Sequence, residues 1–171
     1  MFLPVRPSEI LAAFPERVRA GTQKSGLAYI KRSGCAVHNR PFDTPAPGAM
    51  LLLNDGQIAV YPDEPPSGEL EHSNLTLTAV YVQPATGGLA VPTGLVFVRF
   101  KDTVNAESRR AQIRQAGFEI AEVVAYAPQA AWVQSASGNA AEALARVENL
   151  ERLPDVENVE PQMLLERAQR D

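Results

Sequence analysis

Gly94-Leu95-Val96-Phe97-Val98-Arg99-Phe100-Lys101 is the stretch on which the reading of this chain turns. Leu95 to Phe100 is β-branched and aromatic, which predicts a strand. Working outward, Asn105 to Ala116 predicts a helix closed by Gly117 at the C′ position. Its apolar stripe is thin: Ala106, Ile113 and Ala116. Phe118 to Tyr126 follows as a second strand, and Ala130 to Ser135, beyond Pro128, as a third. Asn139 is placed to cap a helix whose Ala140, Ala143, Leu144, Val147 and Leu150 share one face, and Pro154 stops it. Val156 to Glu160 is a short last strand cut by Pro161.

The order β-α-β-β-α-β predicts an α+β fold in which residues 94–171 form a ferredoxin-like sandwich with a C-terminal tail. Residues 1–93 have a different grain. Eleven of the fourteen prolines and eight of the eleven glycines lie there, so this part reads as a separate, loop-rich and β-rich accessory region with a short helix. The helix is expected from Ser8 to Ala20, interrupted at Pro15 and followed by Gly21. Leu27 to Ile30 is a candidate strand. Ala49 to Leu53 and Gln57 to Tyr61, joined by Asn54-Asp55-Gly56, form a hairpin, because this turn chemistry tolerates positive φ. Leu75 to Val82 alternates as a further strand. Arg40 to Gly48 and Pro62 to Gly68 read as Pro-rich loops, and Gln83 to Gly94 as a linker.

Composition narrows the function. The 171 residues carry a net charge of -4, which argues against a nucleic-acid partner, since such binding rests on clustered Lys and Arg. No apolar run approaches the roughly 18 residues that span a bilayer. Pro4, Pro7 and Pro15 interrupt the stretch where a signal peptide would need an unbroken apolar core, so a soluble, cytoplasmic chain with no membrane partner is expected. Cys35 is alone, leaving no intramolecular disulfide and no cysteine-based metal cage, and no cofactor or metal is expected. His38 and His72 sit in contexts unlike a catalytic histidine motif or a metal pair at helical spacing, and no nucleophile motif accompanies them. Asn74-Leu75-Thr76 fits a glycosylation sequon by spacing alone. The chain therefore reads as non-catalytic. The weaker opposing reading is an enzyme whose site uses Asp43, Asp55 and Asp63 in the first half, although these have no recognisable spacing.

Among users of the ferredoxin-like fold, an RNA-recognition version needs a basic, aromatic central strand, whereas this region is acidic with Phe97 on the first strand and Trp132 on the third. A metal-carrying version needs two cysteines after the first strand. Small-ligand and phosphate-holding versions need a glycine or an arginine in the loop Lys101-Asp102-Thr103-Val104, which has neither. The first strand, with the closing run Leu150-Glu151-Arg152-Leu153-Pro154-Asp155-Val156-Glu157-Asn158-Val159-Glu160-Pro161-Gln162, resembles the propeptides of subtilisin-like serine proteases over residues 94–165. Asp155 stands where that family has glycine, and Gln162 where it has Asn or Asp.

The resemblance implies an inhibitor and folding chaperone of a subtilisin-like serine protease, acting in cis as a prosegment or in trans as a separate chain. The outer face of the sheet would pack on two helices of the protease. The tail Gln162-Met163-Leu164-Leu165-Glu166-Arg167 would lie extended in the substrate cleft by strand addition. The residues implied in protease binding are Tyr126, Trp132, Glu160, Pro161, Gln162, Met163, Leu164 and Leu165, with Glu122 placed to meet a helix N-terminus. A structural reading stands beside each: Trp132 and Tyr126 as packing residues, Glu157 and Glu160 as solvated charges, and Met163 to Arg170 as a short helix folded on its own domain. The alternative function is a non-inhibitory protein-protein adaptor or regulatory module on the same fold.

Overall fold

Leu89–Phe100 forms a strand of 12 residues around which the other elements are arranged. The computed structural model describes residues 6–19, 27–66 and 75–167. In chain order these give α1 (Pro7–Ala12), β1 (Arg17–Arg19), β2 (Ala28–His38), β3 (Leu51–Leu53), β4 (Ile58–Tyr61), β5 (Thr76–Val82) and β6 (Leu89–Phe100). There follow α2 (Arg110–Gln115), β7 (Phe118–Val123), β8 (Ala130–Ser135), α3 (Ala140–Ala145), α4 (Val147–Glu151) and β9 (Val156–Leu165). The fold is mixed α and β, strand-rich with few helices, and its strands make one open antiparallel sheet. The order is β3-β4-β2-β5-β6-β8-β7, with β1 added to β2 and β9 added to β6.

β6 serves both halves of the chain. On one edge its first residues pair with β5, Val82 opposite Leu89 and Tyr81 opposite Ala90, and its later residues pair with β8, Leu95 opposite Gln134 through Arg99 opposite Ala130. β9 takes the other edge, from Val156 opposite Phe100 to Leu165 opposite Ala90. The register shifts between Pro92 and Val96. Gly94 turns there at φ 91, so the site favours glycine on conformational grounds, although a Cβ on it would make only an ordinary contact with Cβ of Ala140 at 3.4 Å.

Successive strand residues face opposite sides. Val96, Val98 and Phe100 therefore share a core with Ala106, Ile113, Phe118, Val133, Leu150 and Val159, covered by α2, α3 and α4. Asn139 holds the start of α3, its Oδ1 accepting from the backbone N–H of Ala141 at 2.8 Å and of Glu142 at 3.2 Å. The same side of the sheet continues into the first half. Ala79, Tyr81 and Ala90 pack there against Phe14, Val18, Ala141 and Leu144. Further along, Cys35, Val37, Ala59 and Tyr61 are covered by Ile10 and Leu11 of α1 and by Ala46 and Ala49. On the opposite side the first half curls on itself, burying Ala36, Ile58, Val60, Val80, Leu89 and Val91 with Leu51, Leu53 and Leu164 packed against them. Buried Arg40 fixes the loop that follows β2, donating to the carbonyls of Gly56 at 2.7 Å and Pro45 at 2.9 Å.

The expected hairpin forms as β3 and β4, with Asn54, Asp55 and Gly56 all at positive φ. Several expected boundaries are corrected. The helix drawn from Ser8 to Ala20 ends at Ala12; after Pro15 the alternation Arg17-Val18-Arg19 buries Val18 and pairs with β2 instead, while Ala20 and Gly21 lie outside the described residues. The strand begun at Ala28 runs on to His38, past a bulge between Arg32 and Ala36. The helix from Asn105 opens as a 3-10 turn, Ala106–Arg109, before α2. The helix after Asn139 is divided at Arg146 into α3 and α4. The segment read as a linker, Gln83 to Gly94, is a tight turn and the first half of β6. The second strand ends at Val123, leaving Tyr126 in a turn. Pro161 does not cut the last strand. It sits opposite Val96, next to the register shift and on an edge strand, where a missing N–H is tolerated.

Gly34 lies in the β2 bulge at φ 117, and a Cβ there would meet the backbone oxygen of Tyr61 at 2.5 Å. Gly34→Ala is expected to cost at least about 2 kcal/mol in urea denaturation, from strain plus backbone clash. Gly48→Ala, at φ 85 with nothing within 4 Å, is expected to cost only about 1 kcal/mol. His38 gives a pH test. Its Nε2 lies 2.8 Å from Oγ1 of buried Thr78, and burial lowers its pKa from 6.5 to about 4. The unfolded chain thus takes up a proton that the folded chain refuses. Stability should be unaffected by this group above pH 6.5, fall between 6.5 and 4 by up to about 3 kcal/mol, and change no further below. Denaturation midpoints of His38→Gln should lack that component.

Candidate functional site

Four strands place one row of side chains across the side of the sheet that the second-half helices leave bare. Trp132 of β8 stands opposite Phe97 of β6, and the rings meet edge to face with centroids 5.3 Å apart and planes at 63°. Glu160 of β9 flanks Phe97 on its other side, and Glu122 of β7 flanks Trp132. The row reads Glu122, Trp132, Phe97, Glu160: two half-buried aromatic rings between two exposed carboxylates. β7 contributes Glu122 rather than its neighbour because the register slips between Ile120 and Glu122.

The adjacent row carries Leu95, Gln134 and Glu119, the last two joined by a hydrogen bond from Nε2 of Gln134 to Oε1 of Glu119 at 2.9 Å. On the other flank, Arg99 is exposed and reaches Glu157 at 3.4 Å and Asp102 at 3.9 Å, so its charge is shared with acidic neighbours. The face thus has an apolar centre and a mostly acidic rim. On the helix-covered side, the hydroxyl of Tyr29 on β2 has a raised pKa, chiefly from burial and additionally from the Glu160 charge.

The residues expected in protease binding separate into three groups. Trp132 and Glu160 meet on this face, together with Glu122. Tyr126 is 93% exposed in the turn after β7, off the strands. Pro161 to Leu165 belong to β9. Pro161 is buried opposite Val96, and Oε1 of Gln162 accepts from Oγ1 of Thr93 at 2.8 Å. Met163 packs against the cluster of Phe14, Val18 and Tyr81, Leu164 against that of Val80 and Val91, and Leu165 is 44% exposed. The segment Met163 to Leu165 is strand, not helix, and residues 168–170 of the suggested helix lie outside the described residues. Phe97, Leu95 and Glu119 were not singled out from the sequence as site residues. The i, i+2 spacing of Leu95, Phe97 and Arg99 marks a shared face, but only the cross-strand register reveals which side is bare.

The other candidate groups do not converge with this face. The Sγ of buried Cys35 donates to the carbonyl of Asp63 at 3.3 Å, and burial, with a smaller effect of Glu64, pushes its pKa up to about 11. It is therefore a protonated, unreactive thiol at neutral pH. Asp43 and Asp55 are loop residues at φ 54 and 53. Among the described residues, no group of three or more His, Cys, Asp and Glu is placed to hold a metal ion, and no helix is long and apolar enough to cross a membrane. His72 and Asn74 lie outside the described residues. Comparison with protein-family models, curated proteins and solved structures found no match to this chain.

The aromatic pair should be separable from the core by mutation. Trp132→Ala is expected to cost about 1–2 kcal/mol in chemical denaturation, since the ring is half-buried and its pairing with Phe97 is worth roughly 0.5–1.5 kcal/mol. Ile113→Ala, which empties a fully buried site, is expected to cost about 2–5 kcal/mol.

Proposed function

We propose that residues 94–165 form a ferredoxin-like propeptide domain that docks on a subtilisin-like serine protease, inhibits it and assists its folding, in cis or in trans. The observation that carries this reading is the row Glu122, Trp132, Phe97, Glu160 on a bare sheet face backed by helices. The spatial order β9-β6-β8-β7, with α2 and α3–α4 as the two helical connections, is the order expected of a β-α-β-β-α-β sandwich and supports the fold assignment. Asp155 adds support. It replaces the glycine of the resembling propeptides, and its φ of 66 is a conformation that favours glycine. Its carboxylate is held by Arg109 at 2.9 Å and Lys101 at 3.6 Å.

In this reading Phe97 and Trp132 supply the buried centre of the contact, where aromatic anchors carry most of the binding energy. Glu119, Glu122 and Glu160 on the rim meet the positive N-terminal ends of partner helices. Inhibition requires occupancy of the cleft and no covalent chemistry. A second reading, the non-inhibitory adaptor, is favoured by one observation: Met163, Leu164 and Leu165 are paired with Pro92, Val91 and Ala90. The two readings share a docking face and differ in what the tail does.

The test is titration of the chain into subtilisin-like proteases, following hydrolysis of a small peptide substrate. Trp132 is the sole tryptophan of the chain, so a shift of its emission in a partner lacking tryptophan reports docking directly. Inhibition near stoichiometric concentration is expected, weakened at least tenfold by Phe97→Ala or Trp132→Ala with the fold retained by circular dichroism. Docking without inhibition would select the adaptor, and no docking at excess chain would reject the protease partner.

A further inference from the structure

Resting on the docking reading, we infer that the first half of the chain is a latch that holds the cleft-binding tail in the sheet and regulates inhibition by releasing it. β9 is bonded in two separate stretches. Val156 to Pro161 pairs with Val96 to Phe100, and after the register shift Met163 to Leu165 pairs with Ala90 to Pro92. The second stretch is embedded mainly in first-half structure: Met163 packs on the cluster that holds Phe14, Val18 and Tyr81 together with Ala141 and Leu144 of α3, and Leu164 on the cluster of Val80, Leu89 and Val91. Glu166 closes it twice, its backbone N–H donating to the Leu89 carbonyl at 2.8 Å and its Oε2 accepting from the Leu89 N–H at 2.9 Å. Oγ1 of Thr93 holds Gln162 at 2.8 Å.

The break between the two stretches makes selective release feasible. Pro161 carries no N–H, and the register shift and Gly94 interrupt the ladder at the same level. Peeling Gln162 to Arg167 from β6 leaves Val156 to Pro161 paired, so Glu160 keeps its place beside Phe97 and the docking face is unchanged. The released segment regains unpaired N–H and C=O groups with which to add to a cleft edge. While it is latched, only the opposite edge of β9 is without a strand among the described residues, and Met163 and Leu164 are occupied. A chain docked but latched does not inhibit. At saturating chain the inhibited share of the protease equals the share of docked chains whose tail is released, so anything that stabilises the latch lowers inhibition without removing docking.

A reversible lock tests this on the full chain. The Glu166 N–H bond to Leu89 makes that pair hydrogen-bonded, so Ala90 and Leu165 form the adjacent non-hydrogen-bonded pair, whose Cα separation suits a disulfide. Ala90→Cys with Leu165→Cys is compared only with itself, oxidised and reduced; Cys35, fully buried, stays out of the exchange. Oxidation is expected to weaken inhibition at least tenfold, reversibly on reduction, while docking read from Trp132 emission persists. It is also expected to slow hydrogen exchange of the Glu166 amide at least tenfold. Equal inhibition by the two forms, or Glu166 exchange that oxidation leaves unchanged, would overturn the latch while the docking reading stands. Docking by both forms with inhibition by neither would also overturn the latch and favour the adaptor. If neither variant form nor the unsubstituted chain shifts Trp132 emission with any protease tested, the docking reading itself fails and the latch falls with it.

Discussion

The antiparallel ladder between β6 and β9 is the constraint on which the rest of this structure depends, because it runs through both the curled first half and the helix-backed second half. Each strand presents alternate residues to two different environments. Val98 and Val159 lie under the helices, whereas Phe97 and Glu160, the next pair along, lie on the bare side. Further along, Ala90 faces the cluster of Phe14 and Tyr81, and Val91 and Leu164 face the interior of the curl. A shift by one residue would exchange these sets, placing Glu160 in the helical core and Val159 in solvent, so burial on both sides fixes the register.

The two sides of the sheet are finished in different ways. One is packed by α1 and neighbouring loops in the first half and by α2, α3 and α4 in the second. The other is covered only where the first half bends over itself, and the bending stops at the register shift near Gly94. Beyond that point, among the described residues, Leu95, Phe97 and Trp132 adjoin one another and Gln134, and Glu119, Glu122 and Glu160 flank them. A face built this way stays hydrated without a partner, because like charges on the rim oppose pairing with a second copy of the same face. In the proposed docking reading the same charges meet the positive ends of partner helices.

Local chemistry made part of this architecture readable from sequence. Asn54-Asp55-Gly56 demanded a tight turn, Asn139 a helix start, and the alternation in Leu95 to Phe100 a strand, and each is decided by residues within a few positions. The misreadings came from long-range pairing. Pro161 looked like a strand end because its own N–H is missing, yet β6 offers an interrupted edge at that level. Gln83 to Gly94 looked like a linker because it is rich in Pro and Gly, but Pro92 and Gly94 sit within β6, where β9 supplies the ladder. Trp132 and Glu160 were identifiable by residue type. Their alignment with Phe97 and Glu122 depends on three registers, one containing a slip, and no local pattern encodes that. Met163 and Leu164 suited apolar subsites by type alone, and that same property serves two cores of the chain itself.

The distance along the chain between the two strands of the central ladder has a kinetic consequence. Val98 meets Val159, and Ala90 meets Leu165, across nearly the whole of the second half. Contacts of such separation pay a large loop-closure cost before they return any energy, and they place this chain among slow folders rather than fast ones. During synthesis β6 emerges well before β9, with an apolar edge that nothing yet covers. Until β9 arrives, that edge is the part of the nascent chain most open to wrong strands, including the same strand on a neighbouring polysome.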